Sequence, residues 1–102
     1  MADNTQVNYD LLENYEKRFQ NASSETNAQL SKFRQKVEEL HGDGWVGQAA
    51  DKFYNEMTTE ILPAVQRLAE AYSQAAEALK KIRETFSSAE EETKGYFNAL
   101  GE

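Results

Sequence analysis

The chain has 102 residues, 39% of them apolar, with a formal net charge of −7 and no cysteine. That length supports a single domain (1–102) with a modest core. The acidic balance repels phosphate backbones and argues against nucleic acid, and disulfides are excluded. No run approaches the ~20 apolar residues of a membrane span, so stable membrane insertion is not expected.

The first residues lack the basic region and apolar stretch of a cleavable leader, so export, if it occurs, is expected to use another route. From Asn8 onward, Leu12, Tyr15, Phe19, Ala22, Thr26, Leu30, Phe33, Val37 and Leu40 recur at three- and four-residue intervals, the period of a helix with one apolar face. The nearly all-polar stretch Gln20–Gln29 could be a linker, but the phase holds across it. The spacing predicts one helix near 8–41. His41-Gly42-Asp43-Gly44-Trp45-Val46-Gly47 follows, with the only Trp, the only His and three of the five glycines. It reads as a turn over 42–46, with Gly42 as a left-handed helix end and Asp43 or Gly44 capping the next helix.

A second series begins at Val46 and runs through Ala50, Phe53, Met57, Ile61, Ala64, Leu68, Ala71, Ala75, Leu79, Ile82, Phe86 and Ala89. Pro63, the only proline, removes a donor and crowds the preceding turn. The phase survives it, so a kinked but continuous helix near 47–93 is predicted, with a tail at 94–102. Strict alternation appears nowhere. The fold class is all-α, an antiparallel helix-turn-helix hairpin.

Reaction chemistry finds no support. Nucleophilic catalysis needs a base held beside Ser or Cys, and His41 is alone. No His-and-carboxylate pair has metal-ligand spacing; Glu90-Glu91-Glu92 reads as a solvated face. The glycines of the turn follow no strand and precede no lysine, so no phosphate loop forms. Lys80, Lys81 and Arg83 are offset by Glu77 and Glu84. Catalytic residues, metals and cofactors are therefore expected to be none.

The helices carry more apolar surface than a hairpin can bury. Folding back at Asp43 sets residue 8 opposite about residue 78, leaving Leu79, Ile82, Phe86 and Ala89 on an overhang. A further stripe, Tyr54, Leu62, Val65, Tyr72 and Ala76, lies off the predicted seam. Two-fold pairing into a four-helix bundle is the commonest way to cover such surface. A homodimer is expected, with Tyr54, Leu62, Val65, Tyr72, Leu79 and Ile82 at its interface.

Trp45-Val46-Gly47, midway along a chain of this length and between two amphipathic helices, resembles the signature of the WXG family, the early-secreted-antigen-like substrates of bacterial type VII secretion. Ala49, Ala50, Phe53 and Tyr54 fit the small-then-aromatic pattern that trails the motif. The resemblance covers the whole chain. It implies secretion without a cleavable signal peptide, a type VII secretion ATPase as partner, and pairing as a homodimer or with a paralogue. On physical grounds Trp45 is expected to plug the gap where the chain reverses and Gly47 to allow a close approach. Trp45 as a plug alone is one reading, and the resemblance implies the other, that this end is also read by secretion partners. Such substrates usually carry Tyr, three residues, then Asp or Glu near the end. Here Tyr96 is followed at that spacing by Leu100, and the nearest substitute is Phe86 with Glu90, extended by Thr93 and Phe97. The competing expectation is an intracellular helical adaptor or coiled-coil module without export. A membrane-active effector is disfavoured, because interfacial helices are usually basic.

Overall fold

The computed structural model describes residues 7–101. Helix α1 spans Tyr9–Gly42 and includes all of Gln20–Gln29. It starts where Asn8, in an extended conformation, accepts a hydrogen bond from the Leu11 N–H at 3.0 Å, a capping role Asn fills well. It ends with the Asp43 N–H bonded to the Glu39 carbonyl at 2.9 Å. Gly42 stays helical; the left-handed positions are Gly44 (φ 91°) and Gly47 (φ 114°).

Gly47, not Asp43 or Gly44, occupies the position before helix α2, and the cap involves no side chain. Helix α2 (Gln48–Glu56) passes into a wide turn of π geometry at Met57–Ile61, and helix α3 follows over Leu62–Gly101. In the wide turn the Leu62 N–H bonds the Met57 carbonyl, five residues back. The helical path is therefore continuous through Pro63, and the irregularity lies just before the proline. The helix also outlasts its expected end, since the segment from 94 assigned to a tail is helical to Gly101. The run from Glu90 to Leu100 is rich in strong helix formers, and the single Gly95 does not outweigh them.

The two arms form an antiparallel hairpin 81 × 22 × 18 Å in extent, with no strand among the described residues. Leu30 and Val37 of α1 meet Met57 and Leu62, with Tyr54 and Val65 packed against them. Further from the turn the fully buried residues of α3 are small, Ala69 and Ala76. There Ser23 donates to the Ala69 carbonyl at 2.8 Å, and the Phe19 and Tyr72 rings lie 6.2 Å apart.

The inner face of α3 differs from the predicted one. Leu62 is only 3% exposed, whereas Ile61 and Leu68 keep 46% and 48% of their surface in water. Leu62, Val65, Ala69, Tyr72, Ala76 and Leu79 face α1, at alternating intervals of three and four. Of the residues expected at a dimer interface, Tyr54, Leu62, Val65, Tyr72 and Leu79 thus belong to the hairpin's own seam, while Ile82 is exposed. For Leu62, Val65, Tyr72 and Leu79 the cause is the extra residue in the wide turn, which rotates everything after it by about one residue's step. Tyr54, before the turn, joins the seam through its stacking on His41 and its bond to Glu38. On α1, Tyr15, Phe33 and Leu40, all expected inside, are more than two-fifths exposed.

The arms also end more evenly than expected. Arg83 reaches Glu16 and the Tyr9 ring lies near Glu90, so residue 8 sits level with the high 80s rather than residue 78. The five-residue turn, centred on Trp45 rather than Asp43, accounts for part of the shift. Leu79 lies within the paired region, and the overhang begins near Glu91.

Candidate interaction surfaces

Among the described residues three apolar surfaces remain open, one at each end of the rod and one along its side. At the turn, the Trp45 ring tilts against Phe53 with centroids 5.3 Å apart. Val37, Leu40 and Ala50 complete its surroundings. Beside it the His41 ring stacks on Tyr54 at 3.9 Å, and the Tyr54 hydroxyl donates to Glu38 at 2.8 Å. That bond, then burial, raises the Tyr54 pKa. His41 therefore serves as packing beside a helix end. Trp45 stays 40% exposed, so part of its ring packs on the turn and part faces water. Gly47 allows no close approach, because a side chain there would meet nothing within 4 Å. Glycine is needed for its positive φ, which an L side chain adopts only under strain.

Along the side, Phe33 of α1 and Ile61 border one apolar groove floored by Leu30, Leu62 and Val65. Leu68, Ile82 and Phe86 continue the outward face of α3, each roughly half exposed. Monomeric proteins seldom leave contiguous apolar surface of this kind without a use for it.

At the open end, Phe86, Glu90, Thr93 and Phe97 line one shallow groove with Val7 from the segment before α1. The four residues singled out in the tail are thus brought together by helical spacing. The Thr93 hydroxyl is turned back to the Ala89 carbonyl at 2.9 Å. The buried Tyr9 hydroxyl has no partner at hydrogen-bonding geometry among the described residues. Burial, then the neighbouring Glu90 carboxylate, raises its pKa. Tyr96, Phe97 and Leu100 are largely exposed.

Sequence reasoning missed a polar pair inside the seam. Arg83 donates to Glu16 through Nε at 2.7 Å and Nη2 at 3.3 Å, and Nη1 lies 3.9 Å from Glu13. The hydrogen bond from Arg83 holds the Glu16 carboxyl below the usual carboxylate value, against the opposing effect of burial, and raises the arginine in turn. A signal was present: Tyr9, Leu12, Glu16, Phe19, Ser23, Thr26 and Leu30 alternate by three and four, which an apolar-only reading passes over.

Among the described residues, no group of three His, Asp or Glu side chains is placed to hold a metal, and no helix is long and apolar enough to cross a membrane. A family model described as WXG100, proteins of 100 residues with WXG, matches residues 4–91. No curated protein matches the chain, and no solved structure does.

Proposed function

This chain belongs to the WXG100 family, and from that premise we propose that it is a substrate of a bacterial type VII secretion system, exported without a cleavable leader and acting through protein–protein contact. The family is one of small, helical, non-enzymatic proteins associated with type VII secretion, which typically form dimers. The observation that carries the reading is the half-exposed Trp45, held against Phe53 at the reversal of the hairpin by two glycines with positive φ. The part of the ring left in water is open to a partner at the reversal of the hairpin.

The partners proposed are the secretion ATPase and a second copy of the chain, with a paralogue as the alternative to the copy. The outward stripe of Phe33, Ile61, Leu68, Ile82 and Phe86 supports pairing into a four-helix bundle. Covering the exposed half of each such side chain contributes on the order of 1 kcal/mol. The address in the tail is proposed to be Phe86, Glu90, Thr93 and Phe97. Their common groove supports this; a signal supplied by a paired partner is the alternative.

The experiment is expression in a bacterium with an active type VII system, with and without its ATPase. Export that depends on the ATPase and is lost in Trp45→Ala is the expected result. Retention inside the cell in both strains, with the chain folded, would favour the intracellular adaptor instead.

A further inference from the structure

We propose that the wide turn at Met57–Ile61, held in place by Pro63, is a register device that decides which of two adjacent apolar stripes of α3 packs on α1 and which faces outward. Upstream of the turn, Ala50, Tyr54 and Met57 face α1. An uninterrupted α-helix would continue that face through Ile61, Ala64, Leu68, Ala71, Ala75 and Ile82. The extra residue of the wide turn rotates α3 by about 100° and brings in Leu62, Val65, Ala69, Tyr72, Ala76 and Leu79 instead. Both stripes are apolar and both keep the three-and-four spacing, so the sequence encodes two self-consistent inner faces.

Three features favour the observed register. Pro63 has no N–H for the Thr59 carbonyl, and in a regular helix its ring would crowd that carbonyl; a widened turn directly before it relieves the clash. The Thr58 and Thr59 hydroxyls donate to the carbonyls of Tyr54 and Asn55, at 2.9 Å and 2.6 Å, occupying acceptors in the distorted stretch. On the α1 side, the Ser23–Ala69 and Glu16–Arg83 bonds exist in this register alone. In the other, Leu68 would stand where Ala69 admits Ser23, and Arg83 would point away from the seam. The device thereby fixes Ile61, Leu68, Ile82 and Phe86 as the outward surface. It stands independently of export and of pairing.

The chain has no cysteine, so introduced pairs report the register directly. Ser23→Cys is combined with either Ala69→Cys or Leu68→Cys, and intramolecular cross-linking under mild oxidation is followed on non-reducing gels. The parent closes the Ala69 pair in preference to the Leu68 pair. With Pro63→Ala the preference moves to the Leu68 pair, and deleting Thr59 from that same chain, which removes the extra residue, returns it to Ala69. An unchanged Ala69 preference in Pro63→Ala would overturn the role of the proline. Failure of the Thr59 deletion to restore it, or loss of cooperative melting on that deletion, would overturn the assignment of the extra residue to this turn.

Discussion

The half of the seam near the turn and the half near the open end are built on different principles. Near the turn, Leu30, Val37, Met57 and Leu62 interlock as an apolar core with Tyr54 and Val65 around it. Toward the open end the fully buried residues of α3 are the small Ala69 and Ala76, beside the half-buried Phe19, Tyr72 and Leu79. Ser23 bonds across to Ala69, and the pairing finishes in Glu16–Arg83. Hydrophobic stabilisation scales with apolar area removed from water, so most of it sits near the turn. The open half gains close backbone approach and direction-dependent polar bonds, which fix alignment more than they add stability. The difference teaches that one hairpin can separate a stabilising segment from an aligning one.

The largest expected effect comes from the apolar half. Leu62→Ala should destabilise by about 2–5 kcal/mol, as for other buried leucines, and lower Tm by on the order of 10 °C or more. A loss no larger than that of an exposed control, Leu100→Ala, would break the assignment of Leu62 to the core. Trp45→Ala comes next. With part of the ring already in water, about 2 kcal/mol is expected rather than the full cost of a buried Trp, while helical content by circular dichroism is retained.

The open half should respond to acid. Arg83 holds the folded-state pKa of Glu16 below its ordinary value of 4.5, so its contribution is present above that value and lost as pH falls through the lower folded value. Glu16→Gln should lower Tm at neutral pH and flatten the acid limb of the Tm–pH curve. An acid limb identical to the parent's would remove the aligning role of the pair. The smallest effect belongs to Tyr54→Phe, which loses one exposed bond to Glu38 but keeps the ring stacked on His41. A slight drop in Tm is expected, with alkaline titration of one tyrosine removed from the ultraviolet absorbance curve.

Much of this architecture is legible in the sequence. The near-absence of Gly and Pro on either side of residues 42–47 marked two long helices, and the unbroken phase across Gln20–Gln29 rejected a linker. The four tail residues Phe86, Glu90, Thr93 and Phe97 do share a groove, because helical spacing alone places them on one side. The inner face of α3 was not legible. Period analysis assumes 3.6 residues per turn throughout, and the wide turn breaks that assumption by one residue, exchanging the Ile61 stripe for the Leu62 stripe. Counting polar residues into the three-and-four pattern, so that Glu16 and Arg83 both occupy seam positions, is the signal that points to the observed register.

The central claim is that the Leu68 side of α3 is the surface offered to a second copy, while the Leu62 side is internal. Sedimentation of the parent and of Leu68→Glu at micromolar concentration tests it most directly, with circular dichroism on the same samples. The account predicts a dimeric parent and a monomeric Leu68→Glu of unchanged helical content. A Leu68→Glu chain that remains as dimeric as the parent, or that unfolds as a buried-core variant would, contradicts it.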